Sequence, residues 1–133
     1  MVGKNYARAN HIKILLIDDE VAYVNVLSNR LKKRNFYVAK AFSGTEAIQI
    51  LRRQDFDIAV LDLKMEDMDG IEVLKILKKM DPQIAVIMLT GHGSAKAARE
   101  GIEQGAFDYL TKPCELDELI AKIHNAYRKR NNV

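Results

Sequence analysis

The chain has 133 residues, a net charge of +3, 48% apolar and 29% charged residues, two prolines, seven glycines and one cysteine. That length suits one domain with a core of its own, and the balance excludes a disordered or low-complexity chain. No apolar run approaches the roughly 20 residues of a membrane helix, the opening MVGKNYARANH lacks the apolar stretch of a secretory signal, and Cys114 has no partner for an internal disulfide, which suits a reducing, cytoplasmic setting.

Charge is unevenly placed. Lys4, Arg8 and Lys13 lie near one end and Arg128, Lys129 and Arg130 near the other; without them the body carries 15 bases against 18 acids. A mildly acidic body with no recognisable nucleic-acid module argues against direct nucleic-acid binding. The basic tips read as solvated, mobile ends: a leader over 1–11 and a tail over 129–133, flanking one domain over 12–128.

Taken in order, Ile12–Ile17 is nearly all apolar and ends at Asp18-Asp19. Val21, Val24, Leu27 and Leu31 follow at helical spacing, and Phe36–Ala39 is a short β-prone run. Ser43 is a candidate N-cap for a second helix carrying Ala47, Ile48 and Leu51. Ile58–Leu61 is apolar and ends at Asp62. Ile71, Leu74, Leu77 and Met80 form a third stripe, stopped by Asp81-Pro82. Ile84–Leu89 is apolar and ends at Thr90-Gly91. Ser94 could cap a fourth helix whose inner residues are mostly small (Ala95, Ala97, Ala98, then Ile102), closed by Gly105. Phe107–Leu110 ends at Thr111-Lys112-Pro113, and Leu116, Leu119, Ile120, Ile123 and Tyr127 mark a fifth helix. Continuous rather than alternating apolar strands, separated by helices, predict a doubly wound α/β fold with a five-stranded parallel sheet.

In such a sheet ligands sit at the C-terminal strand ends. Those ends hold Asp18 and Asp19, Asp62, Thr90 and Lys112, residues far apart in the chain that the topology brings to one edge. Close carboxylates repel, and a hard divalent cation such as Mg²⁺ resolves the conflict with oxygen ligands and waters. No His or Cys lies among the strand-end residues, which argues against zinc. A carboxylate flanked by Mg²⁺, an ammonium and a hydroxyl forms a site for a phosphoryl group, and an Asp can be its nucleophile. Two other phosphate or metal patterns fail. Asp67-x-Asp69-Gly70 would put the first EF-hand ligand on Met65 and the bidentate one on Ile76. GHGSAK, 91–96, is neither GxxxxGK nor GxGxxG.

The segments ILLIDDE (14–20), AVLDLKMEDMDG (59–70), VIMLTG (86–91) and FDYLTKP (107–113), in this order at four strand ends, resemble the receiver domain of bacterial two-component response regulators, chemotaxis-regulator-like in type. The resemblance implies a flavodoxin-like (βα)5 fold with strand order 2-1-3-4-5. It implies Asp62 as phospho-acceptor, with Mg²⁺ held by Asp18, Asp19, Asp62 and the main-chain carbonyl of Lys64. Asp19 would be the direct ligand of the acidic pair, and Asp18 would act mainly through water. Thr90, Gly91 and Lys112 would bind the phosphoryl group, Thr90 and Tyr109 would be the switch residues, and Lys64 and His92 would tune phosphoryl lifetime. The partner would be a sensor histidine kinase. Output would pass through a surface of helix four, strand five and helix five to a downstream protein or an output domain outside this chain, with that surface also serving a homodimer. Such a domain catalyses only its own phosphorylation and dephosphorylation. One departure stands out: Glu66 occupies a position where the family often has proline. Other readings of the same residues are a Mg²⁺-dependent phosphohydrolase acting on a free substrate, a degenerate receiver that only binds proteins, an acidic helix cap at Asp18–Glu20, and plain packing for Tyr109.

Overall fold

The computed structural model describes residues 11–91 and 95–131. The leader before residue 11, His92 and the candidate cap Ser94 lie outside the described residues. Strands β1 (Lys13–Ile17), β2 (Tyr37–Ala41), β3 (Ile58–Asp62), β4 (Ala85–Thr90) and β5 (Asp108–Thr111) alternate with helices α1 (Val21–Lys32), α2 (Gly44–Arg53), α3 (Gly70–Met80), α4 (Ala95–Glu103) and α5 (Leu116–Asn131). The strands are all parallel, in the order β2-β1-β3-β4-β5, the flavodoxin-like arrangement expected from the sequence.

Side chains alternate across the pleat, and the core divides accordingly. Ile14 and Leu16, Ile58 and Val60, Ala85, Ile87 and Leu89, and Leu110 pack with α1 and α5. Leu15 and Ile17, Ala59 and Leu61, and Val86 and Met88 pack with α2 and α3 on the other face. β3 and β4 are buried throughout, which explains why their sequences show no alternation.

Ser43 caps α2 as expected, accepting from Glu46 N–H at 3.0 Å, while Glu46 Oε1 accepts from Phe42 N–H at 2.6 Å. Gly105 takes φ +109° beyond α4, the left-handed conformation that closes a helix. Several details differ from expectation, Met80 and Ala95 among them, since both are exposed rather than inward. Ile102 does not face inward on α4 but is 42% exposed. The buried positions are Ala98 and Gly101, because the sheet comes so close that a Cβ at 101 would lie 2.1 Å from Met88 Sδ. Val21 is likewise exposed, whereas Val24, Leu27 and Leu31 are buried. Finally, α5 runs on to Asn131, so a boundary at 128 falls inside the helix. Arg130 is not a solvated tip: Nη1 pairs with Asp57 Oδ1 at 3.0 Å and Nε donates to the Gln83 carbonyl at 2.9 Å. Asp57 Oδ2 in turn accepts from Lys13 N–H at 2.8 Å, so one carboxylate ties the end of α5 to the start of β1.

Candidate functional site

The pleat decides which strand-end residues meet. Asp62 follows Val60 by two on β3, so it projects on the α1/α5 face. Continuing the same alternation past β1 and β5 puts Asp18 and Lys112 on that face too. The contacts agree: Lys112 Nζ lies 3.0 Å from Asp18 Oδ2 and 3.7 Å from Asp62 Oδ2. Asp18 and Asp62 are both buried. Thr90 ends β4 one position past Leu89, and its buried hydroxyl donates to the Leu110 carbonyl at 3.4 Å. Gly91 is exposed, with nothing within 4 Å of a Cβ placed there. Tyr109 points outward and is 42% exposed. The Lys112-Pro113 peptide bond is cis.

Glu20, read from the sequence only as part of an acidic cap, belongs to the cluster. Its Oε1 meets Lys112 Nζ at 2.7 Å. Carboxylate oxygens of Asp18, Glu20 and Asp62 lie within 4.8 Å of one another. Asp19, the expected direct ligand, is not in this trio; its Oδ2 accepts instead from Glu66 N–H at 3.0 Å. The signal for Glu20 was weak, because a third acid after an acidic pair is ordinary at a helix start. Its place in the cluster comes from the contact with Lys112, 92 positions away in the chain.

The loop after β3 is held from several sides. Lys64 N–H donates to Asp62 Oδ1 at 3.3 Å, Lys64 and Asp69 form an antiparallel bridge, and Gly70 N–H returns to the Leu63 carbonyl at 3.2 Å. Asp69 caps α3, accepting from Ile71 N–H at 3.4 Å. Asp67, in the sequence only part of a failed EF-hand pattern, reaches α2. Its Oδ1 accepts from Gly44 N–H at 3.0 Å, and its Oδ2 accepts from Thr45 N–H and Oγ1 at 3.1 and 3.0 Å. The helix N-terminus is thus satisfied by a neighbouring loop as well as by its own cap. Burial works against the Asp67 charge, but these donors hold its carboxyl below the ordinary range.

Electrostatics concentrate on Asp62. Burial first, and then the Asp18 carboxylate, push its pKa up to about 6, although Lys112 opposes the shift. Burial alone would lower Lys112, but its bonds to Glu20 and Asp18 carry the ammonium above its ordinary value. Tyr23, on the first turn of α1, places its ring 4.6 Å from Lys112 Nζ. Its hydroxyl approaches Cys114 Sγ at 4.0 Å. Burial, with the neighbouring thiol, raises the phenol well above its usual pKa.

Three converging carboxylates with mutual repulsion and one ammonium make an all-oxygen donor set that suits a hard divalent cation. Among the described residues no histidine or cysteine joins the trio. The molecule is therefore a flavodoxin-like α/β domain with an acidic cluster and a lysine gathered at its strand ends. Residues 14–124 match the response regulator receiver domain family, and the chain belongs to that family.

It is 36% identical over 124 residues to the transcriptional regulatory protein ZraR of Escherichia coli, a match covering 93% of this chain and 28% of that protein. It is 37% identical over 113 residues to the transcriptional regulatory protein GlrR of Escherichia coli, covering 85% of this chain and 26% of that one. The chain thus spans about a quarter of the length of these relatives. A response regulator receiver domain protein from Clostridium thermocellum superposes with a TM-score of 0.86 at 36% identity, covering 90% of this chain and 96% of that one. A free-substrate phosphohydrolase is not favoured by this family membership. No described helix is long and apolar enough to cross a membrane.

Proposed function

We propose that this domain, running from Ile12 to the end of α5, is a cytoplasmic phosphorylation switch that accepts a phosphoryl group on Asp62 from a sensor histidine kinase. The observation that carries the reading is the convergence of Lys112 Nζ with Asp18 and Asp62 at one corner of the sheet. An Asp62 oxygen attacks phosphorus in line with the phosphohistidine nitrogen. The P–O bond forms as the P–N bond breaks, and the released electron pair leaves with the imidazole, which takes up a proton. A carboxyl titrating at about 6 is mostly ionised at neutral pH, so the nucleophile is ready. Of the observed trio, Asp18 and Asp62 would hold Mg²⁺; the family pattern adds Asp19, whose Oδ2 here accepts from Glu66 N–H, and the Lys64 carbonyl. The ion would neutralise charge on the transferring oxygens. Lys112, the Thr90 hydroxyl and Gly91 N–H take the phosphoryl oxygens. Lys64, exposed beside the acceptor, and His92 restrict the approach of hydrolytic water.

Phosphorylation then biases α4, β5 and α5. The outward Tyr109 and the Thr90 hydroxyl resting on Leu110 fit the unphosphorylated arrangement. The relatives' names support a transcription-regulating output domain outside this chain, with the α4-β5-α5 surface as the face for dimerisation or coupling. The test is incubation with acetyl phosphate and Mg²⁺ followed by mass mapping. Wild type should gain one phosphoryl group at Asp62 and Asp62→Asn none. Equal incorporation at that position in both would overturn the assignment.

A further inference from the structure

We infer that Tyr23 is a positioning residue for Lys112, its ring holding the ammonium in reach of Asp62 without occupying any of its hydrogen bonds. The inference rests on the reading of Lys112 as the phosphoryl partner. Lys112 Nζ meets carboxylates from Glu20 at 2.7 Å, Asp18 at 3.0 Å and Asp62 at 3.7 Å. The ammonium also lies over the Tyr23 ring, 4.6 Å from its centroid. A lysine stem has several rotatable bonds and a strongly hydrated head, so its location is not fixed by the backbone alone. Its shortest ion pair is also its most solvent-accessible: the Glu20 side chain is 63% exposed, and such a pair contributes little to holding a side chain.

An aromatic face attracts the cation electrostatically and is at best a weak acceptor beside an oxygen. The N–H groups therefore stay available to oxygens, as their bonds to Asp18 and Glu20 show. Lys112 can therefore exchange Glu20 for a phosphoryl oxygen while its ring contact persists. Tyr23 is itself held against the same segment at a second point, where its hydroxyl meets Cys114 Sγ at 4.0 Å, two residues past the lysine. The first turn of α1 thus grips residues 112 and 114 by ring and by hydroxyl.

The experiment compares wild type with Tyr23→Leu, Tyr23→Met and Tyr23→Phe by two readouts. The first is acylation of Lys112 by N-hydroxysuccinimidyl acetate without Mg²⁺ or phosphodonor, mapped by mass spectrometry and referenced to exposed Lys33 in the same sample. The second is the initial rate of Asp62 phosphorylation by acetyl phosphate with Mg²⁺. Loss of the ring should speed Lys112 acylation and slow phosphorylation, each by about two- to fivefold, the size expected for one partly shielded cation–π contact. Tyr23→Phe, which keeps the ring, should recover most of both. Tyr23→Met fills the space without a π face and serves if Tyr23→Leu does not fold. The inference is overturned if the ring-less variants label Lys112 at the wild-type rate, if they phosphorylate normally, or if Tyr23→Phe departs as far as they do. If even wild type takes no phosphate at Asp62, the functional reading fails, and the labelling alone decides the contact.

Discussion

The main-chain N–H of Glu66 donates to Asp19 Oδ2 at 3.0 Å, across 47 positions of sequence, and joins the turn after β1 to the loop after β3. Proline, expected at position 66 from the family pattern, has no N–H and could not make this bond. The departure from pattern is therefore a gained tether as well as a lost constraint. Asp19→Ala should speed amide hydrogen exchange at Glu66 several-fold. Both residues are accessible, so global stability should change by less than about 1 kcal/mol. Unchanged exchange at that amide would show that the tether does not hold the loop.

Asp62 gives a pH signature. Its folded-state carboxyl titrates at about 6, above the ordinary value of about 4, so the folded state binds a proton more readily than the unfolded one. The associated stability is present at low pH and is lost as pH rises through about 6. In chelator at pH 7.5, Asp62→Asn should raise stability by about 1–2 kcal/mol, a value kept below the full shift because Lys112 loses a partner. The gain should shrink at pH 5, where wild-type Asp62 is mostly protonated. Thermal melts at the two pH values check the sign, and a gain that grew toward pH 5 would contradict it.

Asp67 joins two elements, so its loss should be felt at both. Asp67→Ala removes the acceptor for Gly44 N–H, Thr45 N–H and the Thr45 hydroxyl. Helix-cap deletions cost about 0.5–2 kcal/mol, and the exposed setting here points to the lower half of that range. Because its folded carboxyl is depressed, the contribution is present above the ordinary carboxylate range and disappears as pH falls through the folded value. Denaturant melts at neutral and acid pH should show the difference between wild type and variant closing on the acid side.

Two glycines at the site should behave oppositely. A Cβ at Gly70 would lie 2.5 Å from Leu63 Cα and 2.6 Å from its carbonyl oxygen, and backbone cannot swing aside. Gly70→Ala should cost about 1–3 kcal/mol, as overpacking does. Nothing lies within 4 Å of a Cβ at Gly91, so Gly91→Ala should stay within about 0.5 kcal/mol of wild type. Urea midpoints for the pair measure this directly, and similar losses at both would refute the packing argument.

Much of the site was legible because apolar strands stop where charge begins. Asp18, Asp62, Thr90 and Lys112 were located by the ends of Ile12–Ile17, Ile58–Leu61, Ile84–Leu89 and Phe107–Leu110, and the observed bounds of these strands differ by no more than one residue at either end. What escaped was contact at a distance. Glu20 and Tyr23 gain their places only because Lys112 arrives beside them from about ninety positions away. Asp67 could not be recognised as a cap for a helix that starts 23 positions earlier. On α4, helical spacing placed Ile102 among the inner residues. The sheet instead selected Gly101 because it is small. Periodicity reports which face is apolar; it does not report how near the neighbouring layer lies.

That nearness has a mechanical consequence. α4 buries only Ala98 and Gly101 within its span, and at Gly101 it rests against the Met88 thioether. Methionine is unbranched, flexible and readily repacked. Sliding this helix uncovers little apolar surface, and the side chain beneath it can follow. Of the layers around the sheet, α4 is therefore mounted on a compliant bearing rather than keyed in by large side chains, and it sits directly beyond the strand that carries Thr90.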